Sequence, residues 1–152
     1  VKKTRRVQIL RPTSSLVKNA LFNILGDIEG LVFLDLFAGT GQIGLEAERR
    51  GAEVIYVEKN PKQVFEIRKM AEGKVIKGDA LKILDRLGIQ PDIIFADPPY
   101  AFENYKILIE KAMRVLRPGG LFILEHDKRK SFGADEERVY GDTDLSIWRK
   151  SE

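Results

Sequence analysis

The stretch Leu31-Val32-Phe33-Leu34-Asp35-Leu36-Phe37-Ala38-Gly39-Thr40-Gly41-Gln42-Ile43-Gly44 decides the fold. Six residues rich in branched apolar side chains read as a buried strand, and the glycines behind them read as a tight turn opening a helix. Glycine lets the backbone adopt positive φ and approach a ligand closely, while a helix N-terminus presents unpaired N–H groups. Gly39, Gly41 and Gly44 match the G-x-G-x-x-G spacing of nucleotide-binding loops. Asp35 stands inside the apolar strand, where a carboxylate needs a partner; it either orders the glycine loop or meets a ligand ammonium.

Working outward, the same alternation continues in both directions. Upstream, Arg11-Pro12-Thr13-Ser14 is a break, and Ser14 or Thr13 caps a helix running to about residue 26. Downstream come strands at 53–57, 74–77, 92–96 and 121–125. The helices between them run from the glycine loop to about 51, from Pro61 to about 71, over 80–87 and over 103–116. Short apolar strands alternating with helices predict crossover connections and a parallel sheet covered on both faces. Strands at 137–140 and 145–149, flanking Gly141-Asp142-Thr143-Asp144, predict a closing antiparallel hairpin. The expected fold is therefore α/β, a doubly wound, mostly parallel seven-stranded sheet of Rossmann-like class with a C-terminal antiparallel hairpin. Residues 13–152 are expected to form one domain and residues 1–12 a basic arm.

Composition narrows the chemistry. The 152 residues are 43% hydrophobic and 32% charged, which places the chain among globular proteins and excludes disordered or collagen-like ones. There is no cysteine and a single histidine, His126, so thiolate metal sites and cysteine nucleophiles are excluded and no metal is expected. No window approaches the roughly 20 apolar residues of a membrane span and no leader-like segment stands out; the expectation is a cytoplasmic protein that avoids membranes. Residues 1–11 carry Lys2, Lys3, Arg5, Arg6 and Arg11 without an acid, leaving 21 basic against 23 acidic residues in the body. Basicity concentrated in one arm is how a nucleic-acid contact is often built.

Two further motifs carry chemistry. Glu58 ends the second strand, well placed to accept from both ribose hydroxyls of a nucleotide-derived cofactor, and Asp79 after the third strand is placed to meet an adenine amino group or to cap the next helix. Asp97-Pro98-Pro99-Tyr100 sits at the end of the fourth strand, where an open parallel sheet puts its ligand crevice. Successive prolines remove local N–H donors and leave a carboxylate, a fixed carbonyl and an aromatic ring. Asp97 and the Pro98 carbonyl accept the two hydrogens of an exocyclic amine while Tyr100 stacks on the ring that bears it. The methyl of S-adenosylmethionine is the matching electrophile. The motif alone leaves guanine N2, adenine N6, cytosine N4 and a glutamine amide open. A nicotinamide oxidoreductase would share the loop and Glu58 without needing Asp-Pro-Pro-Tyr, and a non-enzymatic RNA-binding module leaves the loop unexplained.

The glycine loop together with Asp97-Pro98-Pro99-Tyr100 resembles the class I S-adenosylmethionine-dependent amino-methyltransferases. More narrowly, Arg11-Pro12-Thr13-Ser14 with Ala20-Leu21-Phe22-Asn23-Ile24-Leu25 resembles the RsmD family of 16S ribosomal RNA guanine-N2 methyltransferases, as do Glu58-Lys59, Asp79-Ala80 and Tyr140-Gly141-Asp142-Thr143 with Leu145-Ser146. The resemblance runs over residues 11–149. It implies methyl transfer to a guanine N2 of small-subunit rRNA, naked or in the assembling subunit, by an enzyme for which a monomer is the simplest form. It implies cofactor binding by Asp35, Phe37, Ala38, Gly39, Gly41, Glu58, Lys59, Asp79, Ala80 and Asp97, and catalysis by Asp97, Pro98, Pro99 and Tyr100. RNA contact falls to Lys2, Lys3, Arg5, Arg6, Arg11 and Thr13. The family carries a longer, glycine-containing basic segment before Arg-Pro-Thr; ten residues precede Arg11 here. Lys128-Arg129-Lys130 reads as a solvated loop rather than a phosphate contact, His126 as structural or incidental, and Trp148 as packing; Phe102 and Tyr105 either border the base pocket or pack the following helix.

Overall fold

The computed structural model describes residues 14–152. Its first element shows how local chemistry sets the boundaries. Helix α1 (Ser15–Leu25) begins where the Ser14 hydroxyl accepts from the Val17 N–H at 3.2 Å and stops at Gly26, whose φ of +68° turns the chain out of the helix. It buries Val17, Leu21 and Phe22, and the Phe22 ring stacks on Phe33 with centroids 6.4 Å apart.

Strand β1 (Val32–Leu36) follows, then α2 (Gln42–Arg49), β2 (Glu53–Glu58), α3 (Pro61–Met70), β3 (Lys74–Lys77), α4 (Ala80–Asp85), β4 (Ile93–Ala96), α5 (Tyr105–Val115), β5 (Leu121–Asp127), β6 (Glu136–Tyr140) and β7 (Thr143–Arg149). The strands form one sheet in the order β3-β2-β1-β4-β5-β7-β6. The first five are parallel; β7 runs antiparallel to both β5 and β6. This is the doubly wound, mostly parallel seven-stranded sheet with an antiparallel finish that the sequence predicts.

Alternation along the central strands divides the core in two. Phe33 and Ile93 join Val17, Ile43 and Ile67 on the face covered by α1, α2 and α3. Leu34, Leu36 and Ile94 join Ile83, Leu108 and Leu116 on the face covered by α4 and α5. All four residues of β4 are buried, as a strand covered on both sides requires.

The edges of the prediction shift for identifiable reasons. Strand β5 runs on to Asp127 because His126 and Asp127 still pair with Asp144 and Thr143 of β7. The hairpin loop shrinks to Gly141 and Asp142, with Tyr140 paired to Thr143 and Gly141 at φ +62°. Helix α5 starts at Tyr105, since the Phe102 N–H closes a turn onto the Pro99 carbonyl at 2.9 Å. Trp148 packs, 8% exposed and stacked on Phe122. His126 is a satisfied core residue: one ring nitrogen meets the Asp127 carbonyl at 2.8 Å and the other the Ser146 hydroxyl at 2.7 Å, with Ser146 donating onward to buried Asp144 at 3.0 Å.

Candidate functional site

From β1 the chain winds outward through β2 to β3, then returns to place β4 on the other side of β1. The crevice of such a sheet opens where that reversal occurs, beyond the C-terminal ends of the strands. A cleft of about 320 Å³ lies there, lined by Phe37, Gly39, Val57, Glu58, Lys59, Gly78, Asp79, Ala80, Asp97, Pro99 and Phe102. Four strand ends therefore contribute: β1 through Phe37 and Gly39, β2 through Glu58, β3 through Asp79, and β4 through Asp97.

The loop after β1 is held at both ends. Phe37 is the single described non-glycine residue with positive φ, +58°, a conformation that costs on the order of 1 kcal/mol and needs the surrounding contacts to hold it. Its ring meets Phe102 edge-on at 5.2 Å and walls the cleft. The Ala38 N–H donates to the Val57 carbonyl at 3.0 Å, tying the loop to the end of β2. Gly41, at φ +82°, caps α2. Glu58 finishes the tether: one carboxylate oxygen accepts from the Gly39 N–H at 2.7 Å, the other from the Asn60 N–H at 2.9 Å. Each oxygen keeps a second lone pair.

Asp35 lies beneath this loop, 2% exposed, and accepts from the Gly44 N–H at 3.1 Å. Of the two expectations for it, the structure supports loop ordering. Burial pushes its carboxyl up to about 8; the Gly44 N–H opposes the shift, and the nearby charges of Asp97 and Glu58 add to it. Asp79 accepts from the Lys82 N–H at 3.1 Å, capping α4, while also lining the cleft.

An expected stability profile follows from Asp35. Its carboxyl loses a proton near 4 in the unfolded chain and near 8 in the folded one, so stability falls as pH rises between those values and levels above the second. The drop attributable to this group is roughly 5 kcal/mol. Asp35→Asn should flatten that part of the profile in urea titrations run from pH 4 to 8. Parallel curves for the two proteins would show that Asp35 ionises normally.

Of the sequence-predicted site residues, Phe37, Gly39, Glu58, Lys59, Asp79, Ala80, Asp97 and Pro99 line the cleft. Asp35, Ala38 and Gly41 stand behind it as supports. Pro98 is buried beside Asp97, and Tyr100 projects from the rim, 89% exposed. Lys2, Lys3, Arg5, Arg6, Arg11 and Thr13 fall outside the described residues. Val57 and Gly78 were not singled out by sequence, although each immediately precedes an acid that was. Phe102 lines the cleft and packs edge-on against Tyr105 at 5.1 Å. Among the described residues no cluster of acids and histidine is arranged to hold a metal, and no helix is long and apolar enough to cross a membrane.

Comparison with known proteins gives consistent findings. The family model described as conserved hypothetical protein 95 matches residues 3–149. YlbH of Bacillus subtilis is 31% identical over 163 aligned positions, covering 92% of this chain and 88% of that protein. The ribosomal RNA small subunit methyltransferase D of Escherichia coli is 30% identical over 145 positions, covering 90% of this chain and 65% of its own length. Among solved structures, the 16S rRNA N2 methyltransferase RsmC of Thermus thermophilus, in complex with AdoMet and guanosine, superposes with a TM-score of 0.78 at 26% identity, covering 93% of this chain and 43% of that one.

Proposed function

The chain belongs to the family of conserved hypothetical protein 95, the RsmD family, and on that premise we propose that it methylates the N2 amine of a guanine in small-subunit ribosomal RNA, using S-adenosylmethionine. The observation that carries this reading is the placement of Asp97 and the Asp-Pro-Pro-Tyr turn against the same cleft that Glu58 and the glycine loop line.

The residues present fit the cofactor. Glu58 has lone pairs directed by the loop and free to accept from a ribose diol; Asp79 and Ala80 border the place for an adenine; Phe37 and Gly39 wall the methionine end. Two carboxylates, on Glu58 and Asp97, line this side of the cleft and favour a ligand with a positive centre. S-adenosylmethionine, when bound, supplies an electrophilic methyl group.

The chain's own contribution is positioning. Asp97 and the Pro98 carbonyl accept the two hydrogens of the guanine N2 amine, which turns its lone pair toward the cleft. The prolines contribute no N–H that would compete for these acceptors. Tyr100, exposed at the rim, offers a free ring face for the extruded base to stack on. The amine proton leaves to Asp97 or to water once the new N–C bond has formed. Residues 13–152 act as one methyltransferase domain and residues 1–12 as an arm on the RNA. The enzyme works as a cytoplasmic monomer on ribosomal RNA or the assembling small subunit.

The test uses S-adenosylmethionine carrying a labelled methyl and small-subunit RNA from cells lacking this enzyme, with the product digested to nucleosides and resolved by mass. Labelled N2-methylguanosine is the expected product. Labelled N6-methyladenosine would keep the transfer chemistry and reject the target.

The arm makes a separate prediction. Each phosphate contact adds about 0.7–0.9 to the slope of log affinity against log salt. Replacing Lys2, Lys3, Arg5 and Arg6 with glutamine should lower that slope by roughly three and weaken RNA binding at low salt. An unchanged slope in filter-binding titrations would remove the arm from the interface.

A further inference from the structure

Beyond the cleft, the most organised charged feature beside the Asp-Pro-Pro-Tyr turn is the segment after β5. Ala96 pairs with Leu124, so Asp97 leaves β4 level with Glu125, and β5 continues two residues further before its loop begins. That loop, residues 128–132, folds back on the start of α5: Lys130 Nζ lies 5.0 Å from the Tyr105 ring centroid, and Phe132 stacks on the same ring at 4.7 Å. Tyr105 in turn feels the charges of both Asp97 and Asp127. Tyr105 also meets Phe102 of the cleft wall edge-on at 5.1 Å, so the loop packs next to the Asp-Pro-Pro-Tyr turn through these rings.

Arg129 stands out within it. Its Nε and Nη2 donate to the two oxygens of Asp127 at 2.9 and 2.7 Å, and its backbone N–H donates to the same carboxylate at 2.8 Å. The side chain is nevertheless 75% exposed. A guanidinium has two donor edges. Asp127 occupies the edge made by Nε and Nη2, leaving one N–H each on Nη1 and Nη2 as a parallel pair facing outward.

We infer that Arg129, oriented by Asp127 in the loop next to the Asp-Pro-Pro-Tyr turn, is the residue that selects guanine over adenine, by donating its outer N–H pair to O6 and N7 of the extruded base. This rests on the guanine-N2 reading. Guanine presents two acceptors on that edge, whereas adenine presents N7 and a donating amino group. The N2 amine lies on the other side of the purine, so one base can meet Asp97 and Arg129 together. A phosphate is the weaker match. Asp127 already balances the charge that would attract an anion, while its three bonds fix the planar orientation that a neutral acceptor edge needs. The selectivity absent from Asp-Pro-Pro-Tyr is then supplied by the loop that follows the neighbouring strand.

The test compares binding of guanosine and of 2,6-diaminopurine riboside to enzyme loaded with S-adenosylhomocysteine. The second nucleoside keeps the N2 amine and replaces O6 with an amino group. Wild type should prefer guanosine by roughly 10- to 100-fold, the discrimination one bidentate contact provides. Arg129→Ala and Arg129→Gln should bring the two within about threefold, with S-adenosylhomocysteine affinity unchanged, while Lys130→Ala keeps the wild-type ratio. Arg129→Ala with the wild-type ratio overturns the inference, and so does a drop in RNA salt dependence without a change in that ratio, which would make Arg129 a phosphate contact. A wild type that yields N2-methylguanosine but binds both nucleosides alike also overturns it while leaving the guanine reading intact. Labelled N6-methyladenosine from wild type rejects both.

Discussion

Asp97→Ala should lower turnover by about three orders of magnitude or more while S-adenosylhomocysteine binds within a fewfold of wild type. On the proposed reading the split is expected because Asp97 would be one of two acceptors holding the target amine, whereas the cofactor's ribose and adenine would fall to Glu58, Asp79 and Ala80 on other strands. Alanine leaves the Pro98 carbonyl in place, so the amine keeps one partner and loses its orientation. The losses come from geometry and from the missing proton acceptor together. Asp97→Asn separates them: the amide oxygen can still accept one hydrogen, so it should recover part of the positioning and none of the acceptor charge. Loss of S-adenosylhomocysteine binding along with turnover would move Asp97 to the cofactor side. A second readout comes free with either variant. The Asp97 charge helps raise the Asp35 carboxyl, so removing it should lower that value and steady the protein near pH 8.

The fold was legible because its signals are local. Strand–turn–helix punctuation repeats from Leu31 to Leu124, and every parallel strand appears within two residues of its predicted bounds. The lining of the cleft was legible for the same reason: in an open parallel sheet, residues just past the strand ends converge, so Gly39, Glu58, Asp79 and Asp97 were placed by their position in the alternation alone. What escaped depends on contacts across the sheet. Nothing near His126 in sequence announces that Ser146 and Asp144 will meet it, because the register of β5 on β7 brings them together over 18 to 20 residues. Arg129 read as one of three solvated cations, and its tether to Asp127 became visible only when β5 was seen to continue past Glu125. The positive φ of Phe37 was equally hidden, since the motif places glycine at 39 and 41 and gives no sign that the residue before them is bent too.

Gly44 shows how a motif residue can be recognised for one reason and required for another. Its spacing marks the nucleotide-binding loop, but it does not line the cleft, and its backbone is not in the positive-φ region. A Cβ built there would stand 2.2 Å from Cε2 of Tyr56 and 2.9 Å from Cδ2. Tyr56 is fully buried in the middle of β2, so its ring has nowhere to withdraw. Gly44→Ala must therefore push α2 away from the sheet, and the expected cost is about 3 kcal/mol, at the upper end of single overpacking changes. The displacement would reach the site through one bond, the Gly44 N–H to Asp35, which fixes the start of α2 against β1. Cofactor affinity should thus fall with stability, although residue 44 touches no ligand. Tyr56→Leu in the same chain removes the ring atoms in conflict and should restore most of both, whereas Tyr56→Phe keeps Cε2 and should restore neither. Denaturant unfolding and S-adenosylhomocysteine titration on the two double variants decide it: equal rescue by phenylalanine would mean that the hydroxyl, and not the space the ring fills, is what Gly44 accommodates.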